Sequence, residues 1–163
     1  MKYKTGIGQD SHRFLNEKGA KKCVIAGMEF LDVPGFDADS DGDVVFHAIC
    51  NAITSITHIP ILGGVAIELC RKGNITDSRI YLDKALETLG SHEIEHIALT
   101  IEGSRPRFQK HIDELRHNVS LAMNLTIDQV GITVTSGDGL TSFGKGEGVM
   151  CYSIITVSTS FSN

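Results

Sequence analysis

Apolar positions recur at helical spacing over residues 44–57, and Ser40 with Asp43 just ahead of them makes a Ser-x-x-Asp start signal resembling a capping box. A second helical stretch, 62–71, ends at Gly73. A third, 77–89, stops at Gly90 and gathers Ile80, Leu82, Ala85, Leu86 and Leu89 on its buried face. Residues 108–123 read as a further helix. Extended patterns occupy 3–9, 23–31, 94–102, 130–135 and 149–158, with polar residues 16–22 as the loop of a hairpin between the first two. A loop rich in Asp and Gly fills 32–43 and a Gly-rich one fills 137–148. This order predicts an α+β fold, a four-stranded mixed sheet plus a short hairpin with helices packed on one face. Pro34, Pro60 and Pro106 sit singly at element boundaries, and no repeat or linker interrupts the chain, so residues 1–163 read as one domain.

Composition narrows the function. With 163 residues and 41% apolar content the chain is large enough for one core. The 15 Lys and Arg against 20 Asp and Glu leave a net charge of −5 without a basic block, which disfavours nucleic acid or anionic lipid as partner. An anionic substrate must then be held by local groups or metals. The N-terminus turns polar at once, unlike a secretory signal. The longest apolar stretch, 59–67, is broken by Pro60, Gly63 and Gly64 and falls short of the roughly 18 residues of a membrane span. Cys23, Cys50, Cys70 and Cys151 form no CxxC pair, so reduced, buried thiols in a cytoplasmic protein are expected.

Four constellations offer chemistry. Asp10 and His12, two apart at a strand end, point the same way and can share a cation. In Ser40-Asp41-Gly42-Asp43-Val44-Val45-Phe46-His47, the histidine lies one helical turn beyond Asp43. Asp10, His12 and His47 together would make a zinc site with one open position, yet isolated histidines are commonly satisfied surface or core residues, and Asp43 equally suits the positive end of a helix. The run from Thr133 to Gly148 interleaves glycines with hydroxyls, Asp138 and Lys145. It reads either as a phosphate cradle or as a flexible connection; the Walker pattern is absent, because Gly146 follows Lys145. Glu102-Gly103-Ser104-Arg105-Pro106-Arg107-Phe108 reads as a grip for a base or phosphate, or as a solvated strand-to-helix turn.

The ordered set D-x-H, S-D-G-D-x-x-x-H, the D-S helix start at Asp77-Ser78, T-S-G-D-G-L and G-K-G-E-G resembles the 2-C-methyl-D-erythritol 2,4-cyclodiphosphate synthase family across residues 6–157. The resemblance implies a homotrimer whose sheets enclose a central cavity, with active sites at subunit interfaces. It implies zinc on Asp10, His12 and His47, and Mg²⁺ or Mn²⁺ held through Asp138, where the family usually has glutamate. The implied substrate is 4-diphosphocytidyl-2-C-methyl-D-erythritol 2-phosphate, cyclised with release of CMP. By the same match Thr135 and Ser136 contact the nucleotide phosphates, Ser40 the other phosphate, and Gly103, Pro106, Arg107 and Phe108 line the cytosine pocket. Gly63 matches a ribose-contacting motif, and Lys145, which the match counts among the substrate-binding residues, stands where an arginine often faces the trimer axis, with Glu147 nearby.

The chain departs from that pattern at several points. Asp39 replaces the histidine that usually precedes S-D-G-D, Ile61 replaces the ribose-binding acid, and Asn51 replaces a common acid. Residues 66–70 replace an F-P-D-x-D stretch with a helix-like segment. Two rival readings are a zinc-dependent phosphohydrolase on the same scaffold and a noncatalytic nucleotide- or isoprenoid-binding trimer.

Overall fold

The computed structural model describes residues 1–65, 68, 73 and 75–160. Half of the helix expected over 62–71, most of the segment 66–70, and Cys70 lie outside the described residues. Strand β1 (Lys2–Arg13) pairs antiparallel along its whole length with β6 (Gly148–Thr159), from Lys2 opposite Thr159 to Arg13 opposite Gly148. This full-length partner carries β1 beyond the expected 3–9 and brings Asp10 and His12 into regular strand. Strand β4 (Glu93–Glu102) pairs antiparallel with β6, and β5 (Val130–Thr135) lies parallel to β4, giving the order β1-β6-β4-β5.

Helix α1 (Val44–Thr57) packs on β1 and β6, α2 (Ser78–Glu87) packs on α1, and α3 (Ile112–Met123), in the crossover from β4 to β5, covers β5. Among the described residues these three helices all lie on one face of the sheet, as expected. None is long and apolar enough to cross a membrane. The α2 register differs from the expected one at a single apolar position: Ile80 is 37% exposed, and Tyr81 and Ser78 turn inward with Leu82 and Ala85. The expected 108–123 helix is two pieces, a 3-10 turn (Phe108–His111) followed by α3.

Two glycines set how close α1 comes to the sheet. A Cβ on Gly8 would stand 2.1 Å from the Ala48 carbonyl oxygen and 2.2 Å from the Ala52 nitrogen, and one on Gly6 would stand 2.3 Å from the Ala52 oxygen. The helix backbone therefore rests directly on the strand backbone, at a distance no side chain permits. Gly8→Ala is expected to lower stability by about 1–3 kcal/mol, since the helix must lift to admit the methyl. Thermal unfolding checks this, and the same lift should weaken retention of an ion shared by β1 and α1.

Residues 23–31 do not pair with β1. They form their own two-stranded sheet, β2 (Cys23–Ile25) and β3 (Met28–Phe30), around a turn in which Ala26 (φ 52°) and Gly27 (φ 71°) are both left-handed. That geometry matches the twist of a tight hairpin. Its cause is Asp43. This buried carboxylate accepts from the Ala26 and Gly27 N–H groups at 2.9 and 2.7 Å and from Val45 and Phe46 N–H, both at 3.1 Å. Asp43 is thus itself the N-cap of α1, not the third residue of a capping box begun by Ser40; it ties the hairpin turn to the helix start. Cys23, Cys50 and Cys151 are buried, and burial, aided by the Asp43 charge, pushes the Cys23 and Cys50 thiols up to about 12. They pack as apolar groups instead of reacting.

Candidate metal centre

Alternation along β1 puts Asp10 and His12 on one side, and the seat of α1 on Gly8 delivers His47, from the first turn of the helix, to the same point. His12 Nε2 lies 2.9 Å from Asp10 Oδ2, His47 Nδ1 lies 3.2 Å from that oxygen, and the two ring nitrogens are 3.1 Å apart. A tetrahedral ion with ligand bonds of about 2.0–2.1 Å separates its ligand atoms by roughly 3.3 Å, so the three atoms already stand near the corners of one face. Among the described residues this is the single cluster of three or more His, Cys, Asp or Glu side chains able to hold an ion. Two nitrogens and one carboxylate oxygen fit a divalent metal and leave a fourth position free. Burial pushes the Asp10 carboxyl up, but the hydrogen bonds and positive charge of His12 and His47 outweigh it, holding Asp10 below the usual carboxylate range.

Neighbouring side chains fix these groups. Phe36 lies against the His12 ring, with centroids 5.8 Å apart, and is stacked in turn on Phe14. Lys21 donates from Nζ to the carbonyls of Phe36 (3.1 Å), Ala38 (2.8 Å) and Ser40, drawing the loop that carries Asp39 and Ser40 around one ammonium. The three candidate ligands open into a cleft of about 480 Å³ whose wall includes Asp39, Ser40, Asn51, Leu62 and Gly63. Ile61 is buried in the core, only 8% exposed, and Asn51 donates from Nδ2 to the Gln9 carbonyl at 2.9 Å.

A second cleft, of about 580 Å³, is lined by Gly103, Pro106, Arg107, Phe108, Thr135 and Ser136 together with neighbouring residues. It shares no lining residue with the first. The parallel pairing of β4 with β5 explains its composition, because it sets Glu102 opposite Thr135 and brings the two strand ends side by side. Beyond Thr135, Ser136 Oγ donates to Asp138 Oδ1 at 3.0 Å and accepts from the Asp138 N–H at 3.3 Å, which aims an exposed carboxylate from a left-handed residue (φ 47°). Asp138 and Lys145 are exposed and line neither of the two clefts. Glu147 pairs with Arg13 at 3.1 Å.

The YgbB family profile matches residues 3–158. The 2-C-methyl-D-erythritol 2,4-cyclodiphosphate synthase of Chlamydia caviae is 54% identical over 156 residues, covering 95% of this chain and 89% of that protein. This chain belongs to the YgbB family. The enzyme of the same name from Chlamydia trachomatis serovar A is 47% identical over 156 residues, with 95% of this chain and 88% of that protein covered. Among solved structures, IspF of Plasmodium falciparum in a CDP complex superposes with a TM-score of 0.81 at 20% identity, over 98% of this chain and 97% of that one. The bifunctional IspDF of Campylobacter jejuni gives 0.86 at 22% identity over 98% of this chain, which spans 43% of the length of that protein. At such identities the structural likeness establishes the fold alone.

Within this YgbB chain, the structure thus gathers Asp10, His12, His47, Ser40 and Gly63 at one cleft and Gly103, Pro106, Arg107, Phe108, Thr135 and Ser136 at another. The sequence analysis gives no role to Lys21, to Asp41 within S-D-G-D, to Ser78, or to Tyr81, whose ring centroid lies 6.3 Å from that of His47. A lysine in a polar loop carries no pattern. Asp77-Ser78 was visible as a helix start, but nothing in its spacing pointed to His47.

Proposed function

We propose that this chain is a 2-C-methyl-D-erythritol 2,4-cyclodiphosphate synthase of the non-mevalonate isoprenoid route, a metal-dependent phosphorus–oxygen lyase acting on 4-diphosphocytidyl-2-C-methyl-D-erythritol 2-phosphate. The observation that carries the reading is the convergence of Asp10, His12 and His47 on one point in the wall of a cleft. In the proposed reaction an oxygen of the 2-phosphate forms a bond to the β-phosphorus and the bond from that phosphorus to the bridging oxygen breaks. CMP departs with the electron pair, and no water is consumed.

Zn²⁺ on Asp10, His12 and His47, with Mg²⁺ or Mn²⁺ on Asp138 and the phosphates, would supply charge neutralisation and polarisation of the diphosphate. The chain's own groups bind and align. Thr135 and Ser136 offer hydroxyls to the nucleotide phosphates, and Ser40, its Oγ 3.4 Å from His47 Nε2, reaches the other phosphate end. The backbone at Gly103, Pro106 and Arg107 reads the cytosine edge, while buried Phe108 floors that cleft. Gly63 lets the substrate approach the backbone, since nothing lies within 4 Å of its missing Cβ. Holding reactants in line in this way supplies much of the rate enhancement in phosphoryl transfer.

The proposal includes a homotrimer with sites at subunit interfaces and a cytoplasmic location. Two observations support the assembly. The sheet face away from the helices exposes Tyr3, Ile7, Tyr152 and Ile154, with Ile7 directly opposite Ile154. The metal cleft and the Gly103–Ser136 cleft remain separate within one chain, as halves completed by a neighbour must be. Lys145, on the exposed loop before β6, is assigned to that assembly.

Incubating purified protein, Zn²⁺ and Mg²⁺ with the cytidine substrate tests the reading. Equimolar CMP and cyclic diphosphate without inorganic phosphate are expected; inorganic phosphate would establish a phosphohydrolase instead, and binding without turnover a noncatalytic module. Asp138→Asn is expected to raise the Mg²⁺ concentration for half-activation by at least about tenfold while leaving zinc content unchanged, because hard divalent ions need the ionised oxygen. Metal titration of activity, with zinc content by elemental analysis, checks both halves.

A further inference from the structure

The ring of His47 is held from behind as well as from the metal side. Its Nε2 lies 2.9 Å from Ser78 Oγ, and that hydroxyl in turn donates to Asp41 Oδ1. The other oxygen of Asp41 accepts from the Ser78 N–H at 3.0 Å, while Oδ1 also accepts from the Asp43 N–H at 3.0 Å. Ser78 is fully buried, so the contact is shielded from water. Asp41 orders the hydrogen-bond roles on this side of the ring. A carboxylate only accepts, so the Ser78 proton is committed to Asp41, and the Ser78 oxygen is left to accept from His47. With an ion on Nδ1 the His47 proton is on Nε2 and the Ser78 oxygen accepts it; without one, Asp10 Oδ2, 3.2 Å from Nδ1, competes for the same proton.

We infer that Asp41 and Ser78 are positioning residues that hold His47 in its Nε2–H tautomer and fix its ring angle, so that Nδ1 is presented to the ion. The inference rests on the reading of Asp10, His12 and His47 as a metal centre and extends it one layer outward, to residues on two other segments. Those segments are built for it. The Asp41 N–H donates to the Thr76 carbonyl at 2.7 Å, which locks the Ser40–Asp43 loop to the start of α2. The helix start does not depend on the Ser78 hydroxyl, because Asp77 is the N-cap, accepting from the Arg79 N–H at 2.8 Å. Removing that hydroxyl therefore leaves α2 capped. Partners of this kind behind a ligating histidine typically contribute about 10–100-fold to metal affinity.

The test uses Zn²⁺ and the full chain. Long-range ¹H–¹⁵N NMR of the metal-free protein at alkaline pH is expected to show a larger Nε2–H share for His47 in the wild type than in Ser78→Ala; an equal share overturns the inference. Ser78→Ala is expected to bind Zn²⁺ about 10–100-fold more weakly in competition with a chromophoric chelator. The Ser78→Ala, Asp41→Asn double variant should lose no more zinc affinity than Ser78→Ala alone, since the two act through one chain of bonds. Wild-type zinc affinity in Ser78→Ala, or additive losses in the double variant, overturns the relay while leaving the metal centre standing. Failure of the wild type to bind Zn²⁺ sinks the metal centre, and the relay with it.

Discussion

His12→Ala and His47→Ala are each expected to lower turnover by about 10³-fold or more while the protein stays folded. Each change removes one of only three candidate ligand atoms, and a metal that stabilises developing charge is worth several kcal/mol of barrier, or roughly a thousandfold or more in rate. His12 is the cleaner variant. Its ring is half-buried at the cleft wall beside Phe36, whereas His47 is packed against Ser78 and Tyr81 and leaves a larger hole. Circular dichroism and gel filtration should match wild type for His12→Ala, with zinc content falling together with activity. Undiminished turnover in either variant would refute the metal assignment.

Asp43→Ala should produce the largest loss of stability of any single change near the site, about 3–5 kcal/mol, because it removes a helix cap and strands the Ala26 and Gly27 N–H donors as well. For a domain of this size that corresponds to a fall of about 10 °C or more in melting temperature. A cap alone would be worth about 1 kcal/mol, so the excess measures the tie between hairpin and helix. Asp43→Asn keeps one acceptor oxygen and should lose distinctly less. Equal losses for alanine and asparagine would show that one retained acceptor oxygen restores none of the tie, whereas wild-type stability in Asp43→Asn would show that the second oxygen contributes nothing. Since Asp43 touches neither His12 nor Asp10, activity in the surviving folded fraction should fall only as far as α1 shifts.

The apolar periodicities were sufficient for most elements, and α1 and β5 begin and end where the pattern places them. Local chemistry misled in two places. Ser40 and Asp43 have capping-box spacing, but a fully buried carboxylate facing a hairpin turn gains more by capping the helix itself while accepting from Ala26 and Gly27. Residues 23–31 look like one strand, since a left-handed Ala26 is not a favoured turn residue until an acceptor from another segment holds its N–H.

Sequence alone determined the ligand types and half of their placement, because strand alternation obliges Asp10 and His12 to share a side whatever they pack against. It also pointed to buried thiols, and Cys23, Cys50 and Cys151 are buried. Only the tertiary structure decided that His47 meets them, for that depends on α1 resting backbone to backbone on Gly6 and Gly8, a contact between segments about forty residues apart. The same holds for Lys21 beneath the Ser40 loop and for Asp41 and Ser78 behind His47: hydrogen-bond partners chosen by proximity in space leave no spacing rule in the chain that encodes them.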